Sequence, residues 1–136
     1  MTHTATRRPT AAPAVVTALR VLSVLTVVAL LFQFLTAGGL VGQSGGGGAL
    51  AAHATGAIVL HVLSGLTMVA AALAWRGGAA LWPLVVAALV FALSFLQAYV
   101  GSYGPLLVHI PGAMVLTVGS VLVAAWSFTR GATGAR

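Results

Sequence analysis

Two histidines carry the most distinctive chemistry in this sequence, because each opens a closely similar stretch of chain. Residues 53–64 read HATGAIVLHVLS and residues 109–120 read HIPGAMVLTVGS, and the two stretches align without a gap. Matches of Ala, Val and Leu are expected by chance in so apolar a chain, whereas a matching His is not. The aligned identities are His53/His109, Gly56/Gly112, Ala57/Ala113, Val59/Val115, Leu60/Leu116, Val62/Val118 and Ser64/Ser120. The pair of histidines therefore needs a chemical explanation.

A pair of neutral imidazoles that face each other at equal depth is the arrangement that ligates a haem iron from both sides. We expect His53 and His109 to take this arrangement if a two-fold axis relates the two stretches, with Gly56 and Gly112 leaving space for the macrocycle. Zinc fits poorly, because it needs two further ligands and the chain has no Cys, Asp or Glu. His61 is a weaker candidate ligand, since it lies about 12 Å further along its helix than His53. The alternative is that the histidines form hydrogen bonds between helices or lie at the water interface.

The composition is that of a membrane protein. The chain has 136 residues, of which 60% are hydrophobic and 4% are charged. The lack of any Asp or Glu excludes a Ser-His-Asp hydrolase and carboxylate-based proton pumping. The net charge of +6 does not indicate nucleic-acid binding, because the arginines flank the apolar runs and form no basic stripe.

Four apolar runs, each near the length that spans a bilayer, predict an all-α bundle of four transmembrane helices. The predicted helices cover about residues 15–37, 50–75, 79–100 and 105–129. A cleaved signal peptide is the alternative for the first run. Residues 1–14 are predicted to be a disordered tail, residues 130–136 a second tail, and the glycine-rich residues 38–49 a flexible loop, because glycine loses much entropy in a helix. Pro111 predicts either a helix start or an early kink.

The arginines predict the topology. All six lie in the N-terminal part of the chain up to Arg20, in the loop after the second helix or after the fourth helix, which favours cytoplasmic N- and C-termini. The similarity also extends to the preceding helices, where Gln33 precedes Gly38 and Gln97 precedes Gly101. This pattern predicts two parallel two-helix repeats about an axis along the membrane normal. Gln33 and Gln97 are expected to form hydrogen bonds between helices, with binding of a quinone or orientation of a ligand as the alternative.

The histidines with their following glycines, the helix count and the Gln-Gly pattern carry a family resemblance over roughly residues 31–126. This part of the chain resembles one four-helix half of haem A synthase and small b-type membrane cytochromes, which carry a His near the outer end of helices two and four. It also resembles an uncharacterised family of small four-helix bacterial membrane proteins. The chain departs from haem A synthase in having no acidic residue near a histidine, and its outer side has no Arg or Lys for haem propionates.

The sequence thus leads to a hypothesis with an alternative. We expect an integral protein of a bacterial plasma membrane that binds one haem b through His53 and His109, near the outer face, for electron transfer or haem handling. The alternative is a cofactor-free small subunit or assembly partner of a larger complex. The expected partners are the lipid bilayer and either a second copy in a homodimer or a larger membrane complex, with no nucleic acid. Catalysis of a reaction is not predicted.

Overall fold

A computed structural model describes residues 10–44 and 46–134, and this part of the chain is an all-α bundle. Its elements are α1 (Pro13–Val41), α2 (Gly46–Arg76), α3 (Trp82–Tyr103), α4 (Leu106–Ser127) and a short 3-10 turn (Arg130–Thr133). The four α-helices are all long and apolar enough to cross a membrane. The prediction of a four-helix bundle with four apolar helices is confirmed.

The helices pack in a closed ring. Helix α1 packs against α2 and α4, and α3 also packs against α2 and α4, so that α2 and α4 occupy diagonal corners. Short connections join successive helices, which makes neighbours in the ring antiparallel. The outward faces carry exposed Leu, Val and Phe side chains, such as Leu35, Val62 and Leu89. In a bilayer these faces meet lipid, while the backbone polar groups are satisfied within each helix.

The helices extend into the predicted glycine-rich loop. Helix α1 continues through Gly38 to Val41, and α2 begins at Gly46. Between them, residues 42–44 form a tight turn. Helical glycine costs about 1 kcal/mol relative to alanine. Near a bilayer, satisfying each backbone N–H and C=O within a helix outweighs that cost. Pro111 lies inside α4, which begins five residues earlier, directly after Pro105.

One end of the bundle gathers the described arginines and both ends of the described chain. The N–H of Ala11 donates to the carbonyl of Thr133, and Ala11 is buried against Gly77 of the α2–α3 connection. The prediction of a disordered tail falls largely on residues 1–9, which lie outside the described residues. Of residues 10–14, Ala11 is buried and the last two begin α1. Arg20 Nε donates to the carbonyl oxygen of Ser127 at 2.9 Å. We call this end, which also holds Arg76 and Arg130, the basic end.

The core changes character along the bundle axis. Near the basic end it is apolar and rich in alanine, with Leu19 and Ala74 fully buried. In the middle, hydroxyl side chains face one another, and Thr26 and Thr67 make a hydrogen bond of 3.0 Å between α1 and α2. Hydrogen bonds between membrane helices contribute about 0.6 kcal/mol each on average. Beyond this layer, the end opposite the basic end holds histidine and glutamine side chains.

Candidate functional site

His53 and His109 meet at the end of the bundle opposite the basic end. They lie on the diagonal helices α2 and α4, with ring centroids 6.4 Å apart and ring planes inclined by 70°. His53 is the eighth residue of α2 and His109 is the fourth residue of α4. His109 therefore lies one turn inside α4, whereas His53 lies two turns inside α2, which begins a turn earlier than the predicted residue 50. The two rings nevertheless lie side by side.

The hydrogen bonds of Thr36 determine the tautomer of His53. Thr36 Oγ1 lies 2.9 Å from His53 Nδ1 and 3.0 Å from the carbonyl oxygens of Phe32 and Gln33. A carbonyl oxygen only accepts, so the single hydroxyl proton of Thr36 is shared between these two oxygens. The hydroxyl oxygen must then accept from Nδ1–H of His53. The neutral ring consequently carries its lone pair on Nε2, the nitrogen through which a histidine with this partner binds a metal.

His109 has a different environment. Its ring packs on the backbone of Gly101 in the last turn of α3, where a Cβ atom would lie 2.7 Å from the ring atom Cε1. Its Nδ1 is buried and has no hydrogen-bond partner among the described residues. The residue three positions after Gln97 is Val100, where the first half of the chain has Thr36 three positions after Gln33. Because Val100 has no hydroxyl group, this position of α3 offers His109 Nδ1 no hydrogen-bond partner.

Two glutamines cover the glycines that follow the histidines. A Cβ on Gly56 would lie 3.0 Å from Gln33 Oε1, and a Cβ on Gly112 would overlap the side-chain amide of Gln97. Both Oε1 atoms are buried without a hydrogen-bond partner in the described part of the chain. Neither amide oxygen therefore makes the hydrogen bond to a neighbouring helix that was expected of these glutamines. Instead of leaving open space, Gly56 and Gly112 allow the glutamine side chains to approach.

The centroid separation of the two imidazoles can be compared with the separation expected for two histidines bound to one metal ion. Imidazole nitrogen binds metals at about 2.0–2.1 Å, which puts a ring centroid about 3.2 Å from the ion and two opposed centroids about 6.3 Å apart. The observed separation of 6.4 Å is within the tolerance of such a site. No group of three or more His, Cys, Asp or Glu that could hold a metal occurs in residues 10–44 and 46–134. Within the described residues, the two imidazoles therefore meet without a third side chain of these types.

His61 does not join this pair. Its Nδ1 lies 2.8 Å from Ser94 Oγ on α3, and its ring stacks on Phe95 with centroids 4.2 Å apart. Eight residues of helix separate it from His53, a rise of about 12 Å towards the basic end. His61 therefore belongs to a separate environment between α2 and α3.

Sequence reasoning missed three residues that contact the histidines: Thr36, Ser94 and Gly101. Gly101 was named only as the glycine that follows Gln97, and its contact with His109 was not predicted. Thr36 was hidden because the similarity between the halves breaks there. Ser94 lies three residues before Gln97, outside the segments that were compared, and no sequence pattern indicated a role for it.

Comparison of the chain with protein-family models, with curated proteins and with solved structures finds no match. The resemblance to haem A synthase and to b-type cytochromes rests on the residues named above. It stays a prediction.

Proposed function

We propose that this protein binds one b-type haem between His53 and His109 and serves in electron transfer or haem handling. The observation that carries the proposal is the ring separation of 6.4 Å between side chains on diagonal helices. That distance is close to the value of about 6.3 Å worked out for two imidazoles on one metal. A bound haem would supply one-electron redox chemistry at this end of the bundle.

The donor residues fit this role in chemical type. His53 has its lone pair on Nε2, and the Nδ1–H bond to Thr36 is the kind of outer contact that orients metal-bound histidines. For Gly56 and Gly112 to face a macrocycle, the side chains of Gln33 and Gln97 must rotate away. Neither amide oxygen has a hydrogen-bond partner among the described residues, so rotation breaks no bond at these atoms.

Among the residues that the structure describes, no arginine lies at this end to bind the propionate groups of a haem. Arg20, Arg76 and Arg130 belong to the basic end, and the N–H groups of residues 42–44 already donate to carbonyls of α1. Propionates would therefore extend into water beside exposed groups such as Gln43 and Tyr103. Moderate haem affinity follows, because no charge-assisted hydrogen bond contributes.

The same proposal includes the orientation in the membrane. The basic end is assigned to the cytoplasm, which gives cytoplasmic N- and C-termini in a bacterial plasma membrane and puts the histidine pair near the outer face. The two halves are assigned as parallel repeats, supported by the equivalent contacts of Gln33 with Gly56 and of Gln97 with Gly112. A reporter fused to the C-terminus should be active only in the cytoplasm. Activity only outside the cell would contradict the assignment.

Haem titration of the purified protein in mild detergent tests the function. We expect a b-type spectrum, oxidised and dithionite-reduced, that is lost in His53→Ala and in His109→Ala. The matched control is His61→Ala, which removes an imidazole from the same bundle and should retain the spectrum. A protein that stays colourless after haem addition would overturn the proposal. Co-purification of that colourless protein with a larger complex would then favour the subunit role.

A further inference from the structure

His61 lies in the middle of α2, on the lateral surface between α2 and α3. Its side chain is partly exposed, and its ring stacks on Phe95, which is 49% exposed. The neighbouring outward residues Ile58 and Val62 are 64% and 57% exposed. In a bilayer this surface faces hydrocarbon, since it lies well inside an apolar helix.

The hydrogen bonds of Ser94 determine which ring nitrogen of His61 carries the proton. Ser94 Oγ donates to the carbonyl oxygen of Phe91 at 2.7 Å, which uses its only proton. Its oxygen must then accept from His61 Nδ1–H, at 2.8 Å. His61 is therefore held as the Nδ1–H tautomer, and Nε2 is a hydrogen-bond acceptor. No described residue donates a hydrogen bond to Nε2.

An acceptor without a partner is costly at this depth. The hydrocarbon region supplies no water, and a polar group there needs a partner from protein or from a solute. The matching solute must dissolve in the bilayer, donate a hydrogen bond from a hydroxyl group and have a flat face that can cover Phe95. A quinol head group has these three properties, whereas a lipid acyl chain has no donor.

We propose that His61 Nε2 and Phe95 form a lateral binding site for the head group of a membrane-soluble quinol. A quinol hydroxyl donates to Nε2, and its ring covers the exposed part of Phe95. The fixed tautomer makes the site selective for oxidation state, because the quinone form has only carbonyl acceptors and meets the lone pair of Nε2 unfavourably. This site stands independently of haem binding at His53 and His109.

The test uses the full chain in lipid nanodiscs, without added haem, and a short-chain benzoquinol under anaerobic conditions. We expect the quinol to bind about twofold to tenfold more tightly than the matching quinone, the range that one hydrogen bond supplies. The variant His61→Phe keeps a flat ring and removes the acceptor, so that it should bind both forms equally. The variant Ser94→Ala keeps the imidazole and frees its tautomer, which should reduce the selectivity.

Nitrogen NMR of the labelled histidines gives an independent measurement on the folded wild-type protein. We expect the Nδ1–H tautomer for His61 and a shift of the Nε2 signal on addition of quinol. Equal affinity of wild type for quinol and quinone, or undiminished selectivity in His61→Phe, would overturn the proposal. A shift of the Nε2 signal that depends on protein concentration in the bilayer, and not on quinol concentration, would also overturn the proposal. It would assign the partner of Nε2 to a second copy of the protein.

Discussion

Replacing Gly101 with alanine should displace the ring of His109. The added Cβ would lie 2.7 Å from Cε1, 3.1 Å from Nε2 and 3.2 Å from Nδ1 of that ring. Carbon atoms in contact prefer about 3.5–4.0 Å, so that the ring must retreat by about 1 Å. Metal–ligand distances tolerate about 0.2 Å. We therefore expect Gly101→Ala to lose the two-histidine ligation and to reduce haem affinity at least about tenfold.

Gly38→Ala is the matched control for this substitution. Gly38 lies in the last turn of α1, as Gly101 lies in the last turn of α3, and a Cβ on it would meet nothing within 4 Å. The control should stabilise the helix by about 0.4–1 kcal/mol and leave haem binding unchanged. Haem titration followed by absorbance, with thermal unfolding in detergent for both variants, measures the two effects. A Gly101→Ala protein with wild-type affinity and spectrum would refute the assigned position of His109.

Three further substitutions test the contacts around the histidines and the helix packing. Thr36→Val removes the acceptor for His53 Nδ1–H and should weaken haem binding about 10-fold to 100-fold, whereas Thr36→Ser should preserve it. Equal haem affinities of these two variants in titrations would contradict the tautomer assignment. In Gly112→Ala the added methyl group meets the side-chain amide of Gln97, which should lower the free energy of unfolding by about 1–3 kcal/mol. A double variant with Gln97→Ala should recover part of that loss in thermal unfolding. Strictly additive effects would show that the two side chains do not clash. Thr26→Val should cost about 0.6 kcal/mol in the same assay, because it removes the hydrogen bond to Thr67, and an effect no smaller in a Thr67→Val background would count against that bond.

The fold was largely predictable because apolar run length determines helix number in a membrane. The arginines of the described chain also gather at one end, as their positions between the runs suggested. Helix ends were less predictable: residues 46–49 are helical although they are three glycines and an alanine. Helix propensities measured in water do not include the free energy gained when each backbone N–H and C=O is hydrogen-bonded within a helix near a bilayer.

The candidate site was only partly predictable. The sequence repeat identified His53 and His109 as a pair, and their equivalent helix positions predicted that the two side chains face each other. The glycines that follow them were expected to leave open space, but Gln33 and Gln97 lie against them, because glycine packing depends on which long side chain the adjacent helix presents. The partners Thr36 and Ser94 depend on helix rotation, and no periodic pattern in one sequence specifies that rotation. His61 was distinguished from the pair in the sequence only by its distance along α2 from His53, about 12 Å.

Electron paramagnetic resonance of the oxidised, haem-loaded protein tests the central proposal most directly. If His53 and His109 held a haem iron at their present inclination of 70°, the oxidised iron would give a low-spin signal with strong anisotropy. We expect this signal in the wild type and in His61→Ala, and its loss in both His53→Ala and His109→Ala. A high-spin signal in the wild type, or a low-spin signal that survives either of these two substitutions, would contradict ligation by His53 and His109.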